Sequence, residues 1–254
     1  MTKYILKIYR GIPEKQYWEE FELTLRPFLN INSALLEIQK NPVNHKGQRV
    51  APVAWENGCL EEVCGSCSML VNSRPRQACT ALVQEILDET KKNVIILAPL
   101  SKFPLVRDLV VDRTSMFESL KRVRAWIDAD DALDRGFGPK ISPQEQEVRY
   151  LLSTCMTCGC CSESCPQVSD RSDFIGPAPI SQARLFNAHP VGALQEETRV
   201  RPLLEKGGIA SCGNAQNCAK VCPKKIPLTE SIAVMGRKAT KQALKDLISL
   251  PDVK

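Results

Sequence analysis

Histidine, aromatic residues and long apolar runs are scarce in this sequence of 254 residues. His45 and His189 are the only histidines, so the chain is poorly equipped for general acid–base catalysis. Aromatic residues make up 6% and the formal net charge is +5, which argues against a basic, aromatic-lined surface for nucleic acid. The longest apolar runs, such as residues 94–100, fall far short of the roughly 20 residues that span a bilayer. We therefore expect any attachment to a membrane to come from a partner.

The first ten residues also lack the pattern of a secretory signal peptide. Charged side chains recur every few residues there and interrupt the apolar run that a signal peptide requires. We therefore expect the chain to stay in a reducing compartment. A composition of 43% hydrophobic and 25% charged residues is typical of a soluble globular protein, and the length fits one large domain or two ordinary ones.

Cysteine, by contrast, is abundant, and the twelve cysteines form three groups. The groups are Cys59, Cys64, Cys67 and Cys79; Cys155, Cys158, Cys160, Cys161 and Cys165; and Cys212, Cys218 and Cys222. The long gap before the second group contains residues 128–143, where four acids, two glycines and two prolines indicate a linker or exposed crossing. We place a loose domain boundary in this part of the chain and predict domains over residues 1–115 and 116–254.

The first domain has mostly strand-like texture. Residues 3–9 and 21–25 are rich in β-branched and aromatic side chains, and the turn residues Gly11, Ile12 and Pro13 lie between them, so we predict a hairpin. Residues 69–71 and 94–97 predict two further strands. A short helix capped by Asn32 or Ser33 completes a small α+β domain.

The second domain has helical periodicity. Ser142, with Pro143 at the first helical position and Glu145 three residues on, predicts a capping box at the start of a helix that leads to Cys155. A final helix is predicted over residues 229–250. After residue 112, one apolar stripe recurs at steps of three and four residues: Phe117, Leu120, Val123 and Ile127.

The first cysteine group has the spacing of a plant-type ferredoxin. Cys59-x4-Cys64-x2-Cys67, followed by Cys79, matches the pattern that holds a 2Fe-2S cluster. Small residues such as Gly65 let a tight loop curl and present amides to the sulfurs. A zinc site and disulfides are the alternatives, but zinc ligands usually come as two C-x2-C pairs, and disulfides contradict the expected compartment.

The second and third groups follow the bacterial ferredoxin pattern. Cys155-x2-Cys158-x2-Cys161-x3-Cys165-Pro matches that run, in which the fourth cysteine serves the other cluster. The same steps from Cys212 reach Cys218 and Cys222, but the expected ligand position 215 is alanine. Cross-pairing the two runs predicts these ligand sets: Cys155, Cys158, Cys161 and Cys222 for a 4Fe-4S cluster, and Cys165, Cys212 and Cys218 for a 3Fe-4S cluster.

Two points stay open after this assignment. A fourth iron that carries water or hydroxide is an alternative at the position of Ala215, because enzymes use such an open iron for Lewis-acid chemistry. Cys160 is left over, and since it is adjacent to Cys161 we interpret it as a small buried thiol rather than a ligand.

These motifs together resemble the iron–sulfur subunit of succinate dehydrogenase and fumarate reductase over almost the whole chain. Segments outside the cysteine groups add to the resemblance: residues 107–112, 174–177, 184–186 and 222–224. The resemblance implies a β-grasp 2Fe-2S domain followed by a mainly α-helical domain similar to bacterial ferredoxins. It also implies that the cysteines conduct electrons and that none of them is catalytic.

The same resemblance implies the partners and the reaction. A flavoprotein subunit with covalent FAD oxidises succinate to fumarate, and this chain passes the electrons singly through 2Fe-2S, 4Fe-4S and 3Fe-4S clusters to a membrane quinone. A cytochrome b subunit or subunits, which carry any haem, anchor the complex at the cytoplasmic face of the bacterial inner membrane. Residues 167–170 lack the tryptophan, and Gly213 replaces the histidine, that ubiquinone-linked members often carry, so the resemblance favours menaquinone.

Other functions fit part of the pattern. Fumarate reductase uses the same ligand spacing in the reverse direction, so the motifs alone do not separate the two. A free-standing electron carrier would be a monomer without a membrane-bound complex. A structural zinc protein would be colourless and would contain stoichiometric zinc.

Overall fold

The computed structural model describes residues 2–128 and 139–249, and these form two compact units. The first unit contains residues 1–113 and the segment Met156–Ser164; the second contains Thr114–Cys155 and the chain from Cys165 onward. Most of the predicted linker at 128–143 lies outside the described residues. The domain division at 115/116 stays a prediction.

The first unit is built on a five-stranded mixed sheet with strand order β2-β1-β5-β3-β4. β1 pairs antiparallel with β2 and parallel with β5, while β3 pairs antiparallel with β4 and β5. Two further strands, β6 and β7, form a separate antiparallel pair. The strands are β1 (Lys3–Ile12), β2 (Lys15–Thr24), β3 (Ser68–Val71), β4 (Arg74–Gln77), β5 (Val94–Ala98), β6 (Leu105–Arg107) and β7 (Val110–Val111).

The β1–β2 hairpin confirms the predicted one, with strands longer than the sequence pattern indicated. Side chains of β1 alternate, so that Leu6 and Ile8 are fully buried while Lys7 on the other face pairs with Glu20 at 3.0 Å. β1 continues through Ile12, so the turn lies at residues 13–14 rather than at 11–13. The predicted strands at 69–71 and 94–97 are confirmed as β3 and β5.

The two longer helices of the first unit are α1 (Ile31–Lys40) and α2 (Val83–Thr90). The predicted cap at Asn32 or Ser33 is wrong, because Asn30 caps α1 by accepting a hydrogen bond from the Ser33 backbone N–H at 2.8 Å. The chain thus enters the helix two residues early, and Asn32 is buried. Leu35 of α1 packs with the sheet residues Ile95 and Leu97 in one core.

Asp108 joins distant segments of the first unit. Its carboxylate accepts hydrogen bonds from the backbone N–H groups of Gly11 and Ala54, each at 2.8 Å, and from Arg10 Nη2 at 3.3 Å. Arg10 also pairs with Glu19, so this buried guanidinium is neutralised by two carboxylates. Ion pairing and hydrogen bonding of this kind offset the free energy that is lost when charged groups are removed from water.

The second unit is helical over its described residues, with one 3-10 turn at Ile209–Ser211. The predicted capping box is confirmed, since Ser142 Oγ accepts from the Glu145 N–H and the Glu145 carboxylate accepts from the Ser142 N–H. The helices in the order of the chain are α3 (Thr114–Arg122), α4 (Pro143–Ser153), α5 (Cys160–Glu163, in the first unit), α6 (Pro177–Asn187), α7 (Pro190–Ala193), α8 (Glu196–Leu204), α9 (Asn217–Val221) and α10 (Leu228–Ile248).

The core of the second unit corrects the predicted apolar stripe. Val123 is fully buried against Ile180 and Met235, as expected, but Phe117 is half exposed, and Met116 is the buried residue of α3. α3 also ends at Arg122, so Val123 and Ile127 do not continue its face. The final helix α10 matches the predicted one within the described residues. None of the helices there combines the length and the apolar character needed to cross a bilayer.

Candidate functional site: three groups of cysteine thiols

Cys59, Cys64 and Cys67 of the first group lie in a loop, residues 58–67, whose backbone wraps around sulfur atoms, and we call it the 2Fe-2S loop. The N–H groups of Glu61, Val63 and Cys64 donate to Cys59 Sγ at 3.4, 3.2 and 3.2 Å. The Cys59 N–H donates in turn to Cys64 Sγ at 3.4 Å. Backbone donors of this kind stabilise a thiolate and tune a metal bound to it.

The loop reaches this shape through left-handed backbone at three positions. Leu60, Glu62 and Gly65 have φ values of +64°, +58° and +73°. Only glycine adopts such a conformation without steric cost, so the non-glycine residues store strain in the loop. Strain of this kind is typical of a functional segment that the surrounding fold holds in place.

Two cysteines of this group, Cys64 and Cys67, differ in environment. Cys64 is exposed, and hydrogen bonds from the Cys59 backbone and from Ser66 lower its pKa to about 6. Cys67 is buried beside Cys79, and burial raises its pKa to about 12. Metal binding deprotonates a thiol outright, so a buried thiol such as Cys67 becomes a thiolate when it coordinates iron.

The donor chemistry of this group fits an iron–sulfur cluster. None of the twelve cysteines, all within the described residues, forms a disulfide. Thiolates are the soft ligands that such clusters require, and the N–H donors aimed at Cys59 supply the surrounding hydrogen bonds. In residues 2–128 and 139–249, no group of three or more His, Cys, Asp or Glu side chains is arranged around a single metal ion.

The segment Met156–Ser164 of the second cysteine group packs in the first unit. Gly65 of the 2Fe-2S loop touches it so closely that a Cβ there would lie 2.7 Å from the Met156 carbonyl oxygen and 3.0 Å from Cys158 Cα. Glu163 fixes the other end of the segment, because its buried carboxylate accepts from Ser101 Oγ at 2.6 Å and from the Lys102 N–H at 2.9 Å.

Cys158, Cys160 and Cys161 are all buried in this segment. A hydrogen bond from Cys160 lowers the pKa of Cys158 to about 7, and the same hydrogen bond together with burial raises the pKa of Cys160 well above its usual range. Cys160 is fully buried, as predicted. Cys155 and Cys222, assigned with Cys158 and Cys161 to the 4Fe-4S cluster, belong to the second unit, and this ligand set stays a prediction.

In the second unit, the three thiols assigned to the 3Fe-4S cluster line one cavity. Cys165, Cys212 and Cys218 share its wall with Ala215, the position at which the sequence pattern predicts a missing fourth ligand. Burial raises the pKa of Cys218, and the neighbouring Cys165 and Cys212 thiols raise it further. Three thiols and one methyl group on the wall of one cavity are compatible with a cluster that has three protein ligands, and this ligand set stays a prediction.

The place of Gly213 bears on the predicted quinone. A Cβ at Gly213 would lie 2.6 Å from Gln167 Nε2, so the glutamine side chain covers the backbone at this point. Both residues line the cavity of the three thiols. The quinone type stays a prediction.

Three polar residues of the first unit were missed by the sequence analysis. Gln77 is buried and donates to Ser68 Oγ at 2.9 Å and to Cys160 Sγ at 3.5 Å. Arg113 donates to the Gly65 carbonyl oxygen at 2.9 Å. The only sequence signal for them is that Ser68 and Gln77 lie within two residues of Cys67 and Cys79, which is too weak to assign a role.

Two protein families match the chain. Residues 5–118 match a family described as a 2Fe-2S iron-sulfur cluster binding domain, and residues 151–226 match one described as a 4Fe-4S dicluster domain. The matches confirm the predicted fold class, in which a 2Fe-2S ferredoxin domain precedes a helical domain with two cluster sites.

Relatives of the chain include named enzyme subunits. The succinate dehydrogenase iron-sulfur subunit of Bacillus subtilis is 53% identical over 230 residues, which cover 91% of this chain and 89% of the relative. The fumarate reductase iron-sulfur subunit of Wolinella succinogenes is 34% identical over 182 residues, covering 71% and 74%. A chain of the Mycobacterium smegmatis Sdh1 complex in the apo form shares the fold, with a TM-score of 0.76, 21% identity and coverage of 94% and 96%.

Proposed function

Because the chain belongs to the family of iron–sulfur subunits of succinate dehydrogenase and fumarate reductase, we propose that it passes electrons from a flavoprotein subunit with covalent FAD to a membrane quinone. The proposed direction is succinate oxidation. The observation in its favour is the 53% identity to a succinate dehydrogenase subunit, against 34% to a fumarate reductase subunit.

The proposed relay has three centres. The ligands are Cys59, Cys64, Cys67 and Cys79 for 2Fe-2S, Cys155, Cys158, Cys161 and Cys222 for 4Fe-4S, and Cys165, Cys212 and Cys218 for 3Fe-4S. The clusters supply one-electron chemistry when they are bound. The observation that carries the proposal is that Cys165, Cys212, Cys218 and Ala215 line one cavity, because a centre with three ligands distinguishes this relay from a simple two-cluster ferredoxin.

The chain's own residues hold and shield these centres. Backbone N–H groups at residues 61, 63 and 64 donate to Cys59 Sγ, which offsets the negative charge of the thiolate. Phe174 and Ile232 line the three-thiol cavity with apolar surface and keep water away from its sulfurs. Exclusion of water reduces the solvent rearrangement that accompanies each change of charge.

The proposed partners follow from the family. They are the flavoprotein subunit and one or more membrane-anchor cytochrome b subunits, with the chain attached peripherally at the cytoplasmic face of a bacterial inner membrane. Menaquinone is the proposed acceptor. Its support is the sequence, in which residues 167–170 hold no tryptophan and position 213 is glycine rather than the histidine that ubiquinone-linked members often carry.

Low-temperature EPR of the gently oxidised protein tests this function. We expect one near-isotropic signal from the 3Fe-4S centre at close to one spin per chain, with about nine irons per chain. An EPR-silent sample rich in iron would contradict the three-ligand centre, and a sample that contains zinc without iron would contradict the relay as a whole. Turnover with succinate and with fumarate, measured on the intact complex, distinguishes the two directions.

A further inference from the structure

We propose that Arg113 is a positioning residue of the 2Fe-2S centre, which holds the backbone of the 2Fe-2S loop and brings to it a positive charge that raises the reduction potential of the cluster. The inference rests on the proposed function, because it concerns one of the proposed clusters. Arg113 belongs to the first unit, and its charged side chain is only 15% exposed. A charge withdrawn from water in this way needs strong partners, and the partners of Arg113 point to its role.

The first partner is the backbone of the loop. Arg113 Nη1 donates to the Gly65 carbonyl oxygen at 2.9 Å, and Ser68 Oγ donates to the same oxygen at 2.8 Å. Two donors occupy both lone pairs of a carbonyl oxygen. Gly65 directly follows Cys64 in the chain, and Ser68 directly follows Cys67. The two donors therefore fix the orientation of a peptide group that lies between two of the assigned ligands.

The loop needs such support because its own backbone is strained. Leu60 and Glu62 have left-handed backbone, which costs free energy for residues other than glycine and persists only when surrounding contacts hold it. Gly65 is packed so closely that a Cβ there would lie 3.0 Å from Cys158 Cα. Arg113, which is 48 residues further along the chain, holds the carbonyl oxygen of the same residue. The two contacts together fix this end of the loop.

The second partner of Arg113 is a carboxylate. Arg113 Nη2 pairs with Glu56 Oε2 at 2.8 Å, while Nη1 faces the loop. Net charge and hydrogen bonding are among the factors that set the potential of an iron–sulfur cluster, since a nearby cation stabilises the more negative, reduced state. The Glu56 side chain is 44% exposed, so water screens its charge more than that of the guanidinium. We therefore expect Arg113 to raise the potential and Glu56 to lower it by a smaller amount.

The test is a redox titration monitored by EPR on the full chain in its assembled complex. For Arg113→Gln we expect about a tenfold loss in the equilibrium constant for 2Fe-2S reduction, which is 59 mV for one electron. Arg113→Lys keeps the positive charge and one donor group, so it should retain most of the potential. Glu56→Gln removes the opposing charge and should raise the same equilibrium constant by about threefold.

Lys3→Gln is the matched control, since it removes one positive charge of the same unit from an exposed ion pair and should shift no potential. Equal potentials for wild type and Arg113→Gln, or shifts of the same sign in Arg113→Gln and Glu56→Gln, would overturn the electrostatic role. If Arg113→Gln does not retain its cluster, the sign in Glu56→Gln decides. Iron and sulfide are counted first, because a wild-type protein without three clusters contradicts the proposed function rather than this inference.

Retention of the cluster tests the contact with the loop backbone separately from the charge. Arg113→Gln and Lys3→Gln both replace a cation with a neutral amide, but only the first removes a donor from the Gly65 carbonyl oxygen. We expect the visible absorbance of Arg113→Gln to be lost at a lower urea concentration than that of Lys3→Gln. Equal midpoints for the two variants would show that Arg113 does not hold the loop and would overturn that part of the proposal.

Discussion

The part of the 2Fe-2S loop that contains Cys59 and Cys64 surrounds its sulfurs differently from the three-thiol cavity. In the first, Cys64 is exposed, and backbone N–H groups surround the sulfurs of Cys59 and Cys64. In the second, Cys165 and Cys218 are buried, and the cavity wall includes the methyl group of Ala215. The comparison teaches that backbone N–H groups of a loop can stabilise thiolates directly. In a buried cavity the thiolate form is disfavoured, so its stabilisation depends on a bound metal.

The largest expected effect comes from adding a ligand to the cavity. Ala215→Cys supplies a fourth thiol, so the centre should take up a fourth iron and have a lower reduction potential. The measurement is the oxidised EPR signal, which should disappear, together with iron content, which should rise by about one per chain. Ala188→Cys, an exposed position of the same unit, is the control and should leave the signal intact. A full signal in Ala215→Cys would show that position 215 is not the missing ligand.

The next effect concerns the close packing of the 2Fe-2S loop. Gly65→Ala combines left-handed backbone with a contact of 2.7 Å to the Met156 carbonyl oxygen, so we expect a cost of about 3 kcal/mol and easier loss of the cluster. The loss of visible absorbance at rising urea concentration measures it. Gly47→Ala has a similar φ of +77° but nothing within 4 Å, so it isolates the backbone strain. Equal midpoints for the two variants would show that the contact with Met156 contributes nothing.

The smallest effect concerns the attachment of the segment Met156–Ser164. Glu163→Gln replaces one acceptor oxygen with a donor, so either Ser101 or Lys102 loses its partner at a cost of about 1–3 kcal/mol. Urea unfolding, followed through fluorescence and cluster absorbance, gives the change. Glu145→Gln makes the same substitution at the exposed capping box of α4 and should cost less. A larger loss in Glu145→Gln would contradict the role given to Glu163.

Several features could be predicted because they depend on local chemistry. The Ser142 capping box and the β1–β2 hairpin follow from neighbouring residues, and both were confirmed. The fold class, the family and the function in electron transfer were also confirmed, because cysteine spacing reflects the geometry of a cluster. The assignment of individual ligands stays a prediction.

Other features could not be predicted because they depend on contacts between distant segments. The cap of α1 lies at Asn30, although Asn32 and Ser33 have equally suitable side chains. The backbone N–H of Ile31 bonds the Ala81 carbonyl oxygen and thereby helps to place the start of the helix. Phe117 fits a helical period but is half exposed, since the neighbouring Met116 takes the buried place. The periodicity predicted an apolar helical face, but it did not show which of the apolar residues would be buried against another segment.

By itself the sequence determined the chemistry of the sites, because thiols at these spacings and an alanine at position 215 limit the kind of cluster each group can hold. Only the tertiary structure decided the surroundings of those thiols. The contact of Gly65 with Met156, the two donors to Glu163, and the position of Gln77 between Cys67 and Cys160 all join residues far apart in the chain. Hydrogen bonding and burial of this kind depend on packing, which no local pattern of residues records.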